Sequence, residues 1–120
     1  MSRRRILIDC GNTRIKWAVI DDGCGRVYGS SDYRDWSALA AQLAPGCACY
    51  VASVAPAVHE RTLAELLTHA GATATWLAAA ATFDDVKNSY LDPAQLGVDR
   101  WMALIAARQR TRTPVLVVSA

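Results

Sequence analysis

The chain has 120 residues, 52% of them hydrophobic and 20% charged, with a formal net charge of +2. That is enough for one folded domain burying about two thirds of its unfolded surface, and too apolar for a disordered chain. The near-neutral balance excludes a general attraction to nucleic acid, and with no apolar run of membrane-spanning or signal-peptide length the expectation is a cytoplasmic protein without a membrane partner.

The run Ile6-Leu7-Ile8 and the segment Ile15 to Val19, with Ile15, Trp17 and Val19 on one face and Lys16 on the other, read as two strands joined by a turn over Asp9 to Thr13. Turn formers from Asp21 to Gly25 then lead into a third antiparallel strand over Arg26 to Ser30. Trp36, Leu39, Ala40 and Leu43 fall at helical spacing within Asp35 to Leu43, and Pro45-Gly46 stops that helix before a strand over Cys49 to Val54. A second helix is predicted over Ala57 to Ala70, with a stripe of Leu63, Leu66, Leu67 and Ala70. Gly71 suits the left-handed position beyond its end.

Thr73 to Leu77 reads as a further strand, and Ala78 to Ala81 as helix or loop filler rather than a linker. Val98 to Arg110 is predicted helical through Trp101, Leu104, Ile105 and Arg108, and after Pro114 a buried strand is expected over Val115 to Val118. The sum is an α/β domain whose mixed sheet begins with an antiparallel β-meander and carries helices packed on it. Local basic clusters, Arg3-Arg4-Arg5 and Arg108, Arg110 and Arg112, lack interleaved aromatic residues, so no nucleic-acid partner is expected. Cys10, Cys24, Cys47 and Cys49 lack paired CxxC spacing, and His59 and His69 belong to no metal-ligand motif. Cys47 and Cys49 share one strand face, where a free thiol behaves as a small hydrophobe in a reducing compartment.

Chemistry concentrates in two stretches. The first is Asp9-Cys10-Gly11-Asn12-Thr13. The Walker and Rossmann phosphate loops both need a helix directly after their glycines, and neither pattern occurs here. A turn between strands can still hold phosphate: Gly11 allows close backbone approach, successive amides form an anion nest, and Asn12 and Thr13 add side-chain donors. Asp9 then suits Mg2+, which takes one or two carboxylates plus waters and phosphate oxygens. The plainer alternative is an ordinary tight turn with Lys16 as a solvated strand lysine. The second stretch runs from Tyr90 to Arg100. Asp99 enters a predicted helix behind Gly97, where an isolated aspartate most often caps free amides and Arg100 is most often a surface residue.

Asp9-x-Gly11-Asn12-Thr13 together with Tyr90-x-x-Pro93-x-x-Leu96-Gly97-x-Asp99-Arg100 resembles the type III pantothenate kinases, a family that includes proteins called Bvg accessory factors. Ala52-Ser53-Val54-Ala55-Pro56 is similar to the family's strand-end segment. The resemblance implies the actin-like ATPase superfamily fold, two ribonuclease-H-like halves closing around ATP, and a homodimer. Residues 1–120 would then form the amino-terminal ribonuclease-H-like domain of a two-domain kinase, with the second domain outside this chain. The same resemblance implies ATP-dependent phosphorylation of pantothenate to 4'-phosphopantothenate, the first step of coenzyme A biosynthesis.

By residue, the resemblance implies that Asp9, Cys10, Gly11, Asn12, Thr13, Arg14, Ile15 and Lys16 line the triphosphate, with Mg2+ at Asp9 directly or through water. It implies that Tyr90, Gly97, Val98, Asp99 and Arg100 contact pantothenate, with Asp99 as proton acceptor. The two stretches are expected to converge on one cleft. Relatives tie a monovalent cation, K+ or NH4+, to an aspartate where this chain has Ser119, and a serine there argues against such dependence. A second phosphate-gripping turn, Asp-x-Gly-Thr, is expected beyond Ala120, so the 120 residues alone should show little or no turnover. Two other readings stay open: a non-catalytic regulatory or partner-binding module with the same half-fold, and another small-molecule kinase of the superfamily. An arginine beside an aspartate suits many hydroxy acids, so pantothenate rests on the resemblance.

Overall fold

The computed structural model describes residues 4–21 and 25–117. Arg3 of the basic run, Asp22, Gly23 and Cys24 of the second turn, Val118 of the last expected strand and Ser119 lie outside the described residues. The chain divides into two compact units, Met1–Leu77 and Ala78–Ala120, at the alanine run where the sequence suggested no linker.

In the first unit, three strands run consecutively, β1 (Arg5–Cys10), β2 (Arg14–Asp21) and β3 (Gly25–Asp32), each antiparallel to the one before. They are followed by α1 (Ser37–Ala40), β4 (Ala48–Ser53), α2 (Ala57–His69) and β5 (Thr73–Trp76). The sheet order is β3-β2-β1-β4-β5, with β4 parallel to β1 and β5 parallel to β4. The meander and the mixed sheet are therefore as expected, and the third strand is longer than Arg26 to Ser30.

Alternation decides which face is covered. Ile6, Ile8 and Cys10 of β1, Ile15, Trp17 and Val19 of β2 and Cys49 and Val51 of β4 are buried in one cluster with Leu39 of α1 and Leu63 and Leu67 of α2. Both helices thus pack on the same face, while Arg5, Leu7, Asp9, Arg14 and Lys16 project from the other and are exposed. Each fully buried Leu or Ile contributes about 1.5–3 kcal/mol relative to remaining in water. Cys47 and Cys49 belong to the same core, their Sγ atoms 4.0 Å apart as free thiols. Burial is the main cause that pushes the Cys49 thiol up to about 12, with Cys47 adding to it.

Trp17 and Gly29 are directly opposite across the β2–β3 ladder. The indole occupies the space over the glycine, so a Cβ there would overlap the ring. A flat aromatic over a strand glycine fills the gap that the missing side chain leaves.

The first helix is shorter than the sequence suggested. Asp35 Oδ1 accepts from the Ser37 N–H at 2.9 Å and its hydroxyl at 2.6 Å, which starts the helix. After two bonds of α type, Gln42 and Leu43 donate three residues back, to Leu39 and Ala40 at 2.9 and 3.1 Å. The tightening leads into Ala44-Pro45-Gly46, because a residue preceding proline disfavours the α conformation.

At the other helix the expected stop is present. The Ala72 N–H reaches the Leu67 carbonyl at 3.0 Å, the Gly71 N–H reaches Thr68 at 3.1 Å, and Gly71 has φ +73°. Only that φ resists a side chain there, since a Cβ would meet Pro45 at an ordinary 3.5 Å. Gly71→Ala should therefore cost about 1–2 kcal/mol by urea denaturation of the full-length protein, the penalty for one L-residue in the left-handed region.

The second unit holds a short hairpin, β6 (Thr82–Phe83) and β7 (Val86–Lys87), a 3₁₀ turn at Pro93–Gln95 and α3 (Val98–Arg110). The helix over Val98 to Arg110 agrees with the sequence reading, with Val98 and Trp101 buried. The strand expected from Val115 is not formed over 115–117, where Leu116 is 85% exposed. A strand needs a neighbour's ladder, and no described strand pairs with those residues.

Candidate active site

In the parallel pair, Cys10 stands beside Ser53, so the carboxyl ends of β1 and β4 lie together. Open α/β sheets bind ligands at such strand ends. From β1 the chain enters the turn Gly11 to Arg14, closed by the Gly11 N–H on the Arg14 carbonyl at 2.9 Å. From β4 it passes through Val54, whose N–H donates to the Cys10 carbonyl at 2.9 Å, and Ala55, whose N–H donates to Ser53 Oγ at 3.1 Å. Pro56 then precedes the first turn of α2, with its carbonyl accepting from His59 N–H at 3.0 Å. The first motif and the strand-end segment Ala52 to Pro56 are thus neighbours.

Alternation sorts the first motif into two roles. Cys10 and Ile15 are buried on the helix-covered face and contribute backbone rather than side chain to any ligand. Asp9, Asn12, Thr13, Arg14 and Lys16 are exposed, with Asp9 directly opposite Lys16 in the ladder. A carboxylate and an ammonium side by side at the mouth of the turn suit a cation-bridged phosphate. The donor set fits magnesium: one exposed carboxylate, that of Asp9, leaves most coordination positions to water and phosphate oxygens. The Arg14 guanidinium is bonded to Ser30 Oγ at 3.0 and 3.3 Å.

Local periodicity does not reveal what supports the turn. Tyr33, just beyond β3, donates from Oη to the Gly11 carbonyl at 2.6 Å and lies 3.3 Å from the Arg14 carbonyl. Its ring stacks on His59 with centroids 3.9 Å apart and planes 6° from parallel, and meets Trp36 at 5.6 Å. Burial raises the Tyr33 hydroxyl above its ordinary range, helped by Cys10, Asp9 and Glu60, so it remains a donor. Burial also pushes the Cys10 thiol up to about 11, with Asp9 and Glu60 adding to it while the Tyr33 and Ser53 hydroxyls oppose. Cys10 is therefore a protonated packing residue, not a thiolate nucleophile.

The second motif lies in the second unit. Asn88 fastens it: Nδ2 donates to the carbonyls of Ala80 and Pro93 at 3.2 and 3.1 Å, and Oδ1 accepts from Tyr90 N–H at 3.1 Å. Asp92 Oδ1 accepts from Ala94 N–H at 3.1 Å and starts the 3₁₀ turn. Asparagine is so common in turns that neither this role nor that of Asp92 was legible in the sequence. Tyr90 is half exposed.

Gly97, not Asp99, is the helix cap, and Asp99 sits inside the first turn of α3 with Oδ1 accepting from Arg100 N–H at 2.9 Å. Asp99 and Arg100 are both exposed and adjacent at the helix start, while Val98 turns inward. A carboxylate and a guanidinium held on one helical turn can orient a hydroxyl and bind an acid group, respectively.

The profile described as "Type III pantothenate kinase" matches residues 5–120. Among curated proteins, the type III pantothenate kinase of Thiobacillus denitrificans is 58% identical over 120 residues, covering 100% of this chain and 49% of that protein. The corresponding proteins of Aromatoleum aromaticum and of Azoarcus sp. are 42% and 38% identical, each over 96% of this chain. The chain spans about half the length of the curated relatives it matches. With its five-stranded mixed sheet, its meander at the start and a profile match across nearly every residue, the chain belongs to the type III pantothenate kinase family, of the actin-like ATPase fold.

Proposed function

We propose that this chain is the amino-terminal half of a kinase that transfers the γ-phosphoryl group of ATP to pantothenate, in the first step of coenzyme A biosynthesis. The observation that carries this reading is the β1–β2 turn, open at the carboxyl end of β1, with Asp9 and Lys16 exposed beside it. The amides of Asn12 and Thr13 and the side chains of the same two residues bind the triphosphate, and Lys16 offsets its charge. Magnesium, when bound at Asp9, neutralises charge on the phosphate oxygens.

In the second unit, Arg100 holds the pantothenate carboxylate through its planar fork, while Tyr90, Gly97 and Val98 shape the binding surface. Asp99 accepts a hydrogen bond from the primary hydroxyl and takes its proton late, as that oxygen attacks phosphorus in line. A weakly basic carboxylate suffices, because positioning and charge neutralisation do most of the work in a loose transition state. The reading includes a cytoplasmic homodimer, and a low requirement for K+ or NH4+. No described helix is long and apolar enough to cross a membrane.

The test is to incubate the full-length protein with ATP, Mg2+ and pantothenate and to follow ADP release together with the mass of 4'-phosphopantothenate. Product formation with pantothenate, and not with a panel of other hydroxy acids and sugars, is the expected result. Phosphorylation of a different acceptor would point to another kinase of the superfamily, and failure to bind either ATP or pantothenate by calorimetry would point to a non-catalytic module.

A further inference from the structure

We propose that Tyr33 is a positioning residue for the phosphate turn: its hydroxyl, bonded to the Gly11 carbonyl, fixes the peptide plane that aims the Asn12 N–H at the triphosphate. The proposal rests on the kinase reading above. Tyr33 Oη is 2.6 Å from the Gly11 carbonyl and 3.3 Å from that of Arg14, so its single proton goes to Gly11, with Arg14 the weaker second acceptor. Those two residues are the shoulders of the turn, already joined by the Gly11 N–H on the Arg14 carbonyl at 2.9 Å.

Peptide planarity makes the bond consequential. In a trans peptide the C=O of Gly11 and the N–H of Asn12 point in opposite directions within one rigid plane. A carbonyl held against Tyr33 therefore leaves the Asn12 N–H directed away from it. Glycine opposes rotation of that plane less than any other residue, and a rotated plane would present a carbonyl dipole to an anion. Tyr33 supplies the external anchor that the flexible residue needs.

The anchor is itself well held. The phenol ring is held by parallel stacking on His59 at 3.9 Å and by a tilted contact with Trp36 at 5.6 Å. His59 belongs to the first turn of α2, and Trp36 precedes α1, so both helices of the first unit brace the ring. Rigid support of a binding group by a second layer of contacts is a general requirement of such sites.

The experiment is steady-state kinetics of full-length wild-type and Tyr33→Phe proteins. Removing only the hydroxyl should raise KM for ATP about five- to tenfold, the scale of one lost neutral hydrogen bond, and leave KM for pantothenate within about twofold. Tyr28→Phe, at an exposed tyrosine of β3, should change neither constant. The Asn12 amide resonance should move when inorganic triphosphate and Mg2+ are added to the wild type, and move less in Tyr33→Phe. An active Tyr33→Phe protein with unchanged KM for ATP overturns the proposal and spares the kinase reading, whereas a wild type without ATP-dependent phosphorylation overturns the kinase reading itself and the proposal with it. Should Tyr33→Phe fail to fold, His59→Ala keeps the hydroxyl but removes the stack. It should raise KM for ATP selectively, and an unchanged value there overturns the proposal equally.

Discussion

Asn in place of Asp99 in the full-length protein should lower kcat for pantothenate phosphorylation by about two to four orders of magnitude, equivalent to about 3–5 kcal/mol of barrier. The same variant should melt at the wild-type temperature. Asp99 is exposed, and its bond is made through Oδ1 to the Arg100 N–H at 2.9 Å. The amide oxygen of asparagine can accept that same N–H, so the first turn of α3 keeps its partner while the proposed proton acceptor is lost. Removal of a group that acts only in the transition state lowers kcat and kcat/KM together, with KM for ATP unaffected. Turnover by the Asp99→Asn protein at the wild-type rate would remove Asp99 from the mechanism.

Trp17→Ala should destabilise the full-length protein by about 3–5 kcal/mol in equilibrium denaturation, as expected for deleting a large buried aromatic. Gly29→Ala should cost about 1–3 kcal/mol through the opposite fault, a methyl group forced into the ring above it. The two changes act on one space. Once the indole is gone, the Gly29 methyl meets no ring, so the double variant should be more stable than the sum of the single effects by at least about 1 kcal/mol. Strict additivity would mean that the ring does not depend on the glycine beneath it.

Much of the first unit was legible because strand alternation needs only neighbouring residues. Ile6, Ile8 and Cys10 against Leu7 and Asp9, and Ile15, Trp17 and Val19 against Lys16, divide a covered face from an open one. Gly71 was legible for a similar local reason, since one residue type dominates the left-handed position after a helix. The misjudged segments depend on more than their own composition. Val115 to Val117 has strand composition, but pairing is a property of two segments, and no described strand pairs with it. The α1 segment has helical spacing from Trp36 to Leu43, yet the approach to Pro45 pulls its end into a tighter turn.

The candidate site divides along the same line. Its motifs, Asp9 to Thr13 and Tyr90 to Arg100, were visible as residue patterns. Their supports were not: Tyr33 reaches Gly11 across the sheet end, and Asn88 joins Ala80, Tyr90 and Pro93 through a side chain with no distinctive spacing. Asp99 was expected where the loop containing Gly97 enters a helix, and it stands there, in the first turn behind a Gly97 cap rather than as the cap itself. The bond its carboxylate makes is through Oδ1 to the Arg100 amide.

The parallel pairing of β1 with β4 has a consequence for how the molecule is made. The meander can zip from adjacent segments as they leave the ribosome, whereas Cys10 meets Ser53 only after a long loop has closed, which is entropically slower. The β1–β2 turn is thus synthesised early but gains its neighbouring strand late, and truncation before Ala48 should leave the three-stranded meander without β4 beside it.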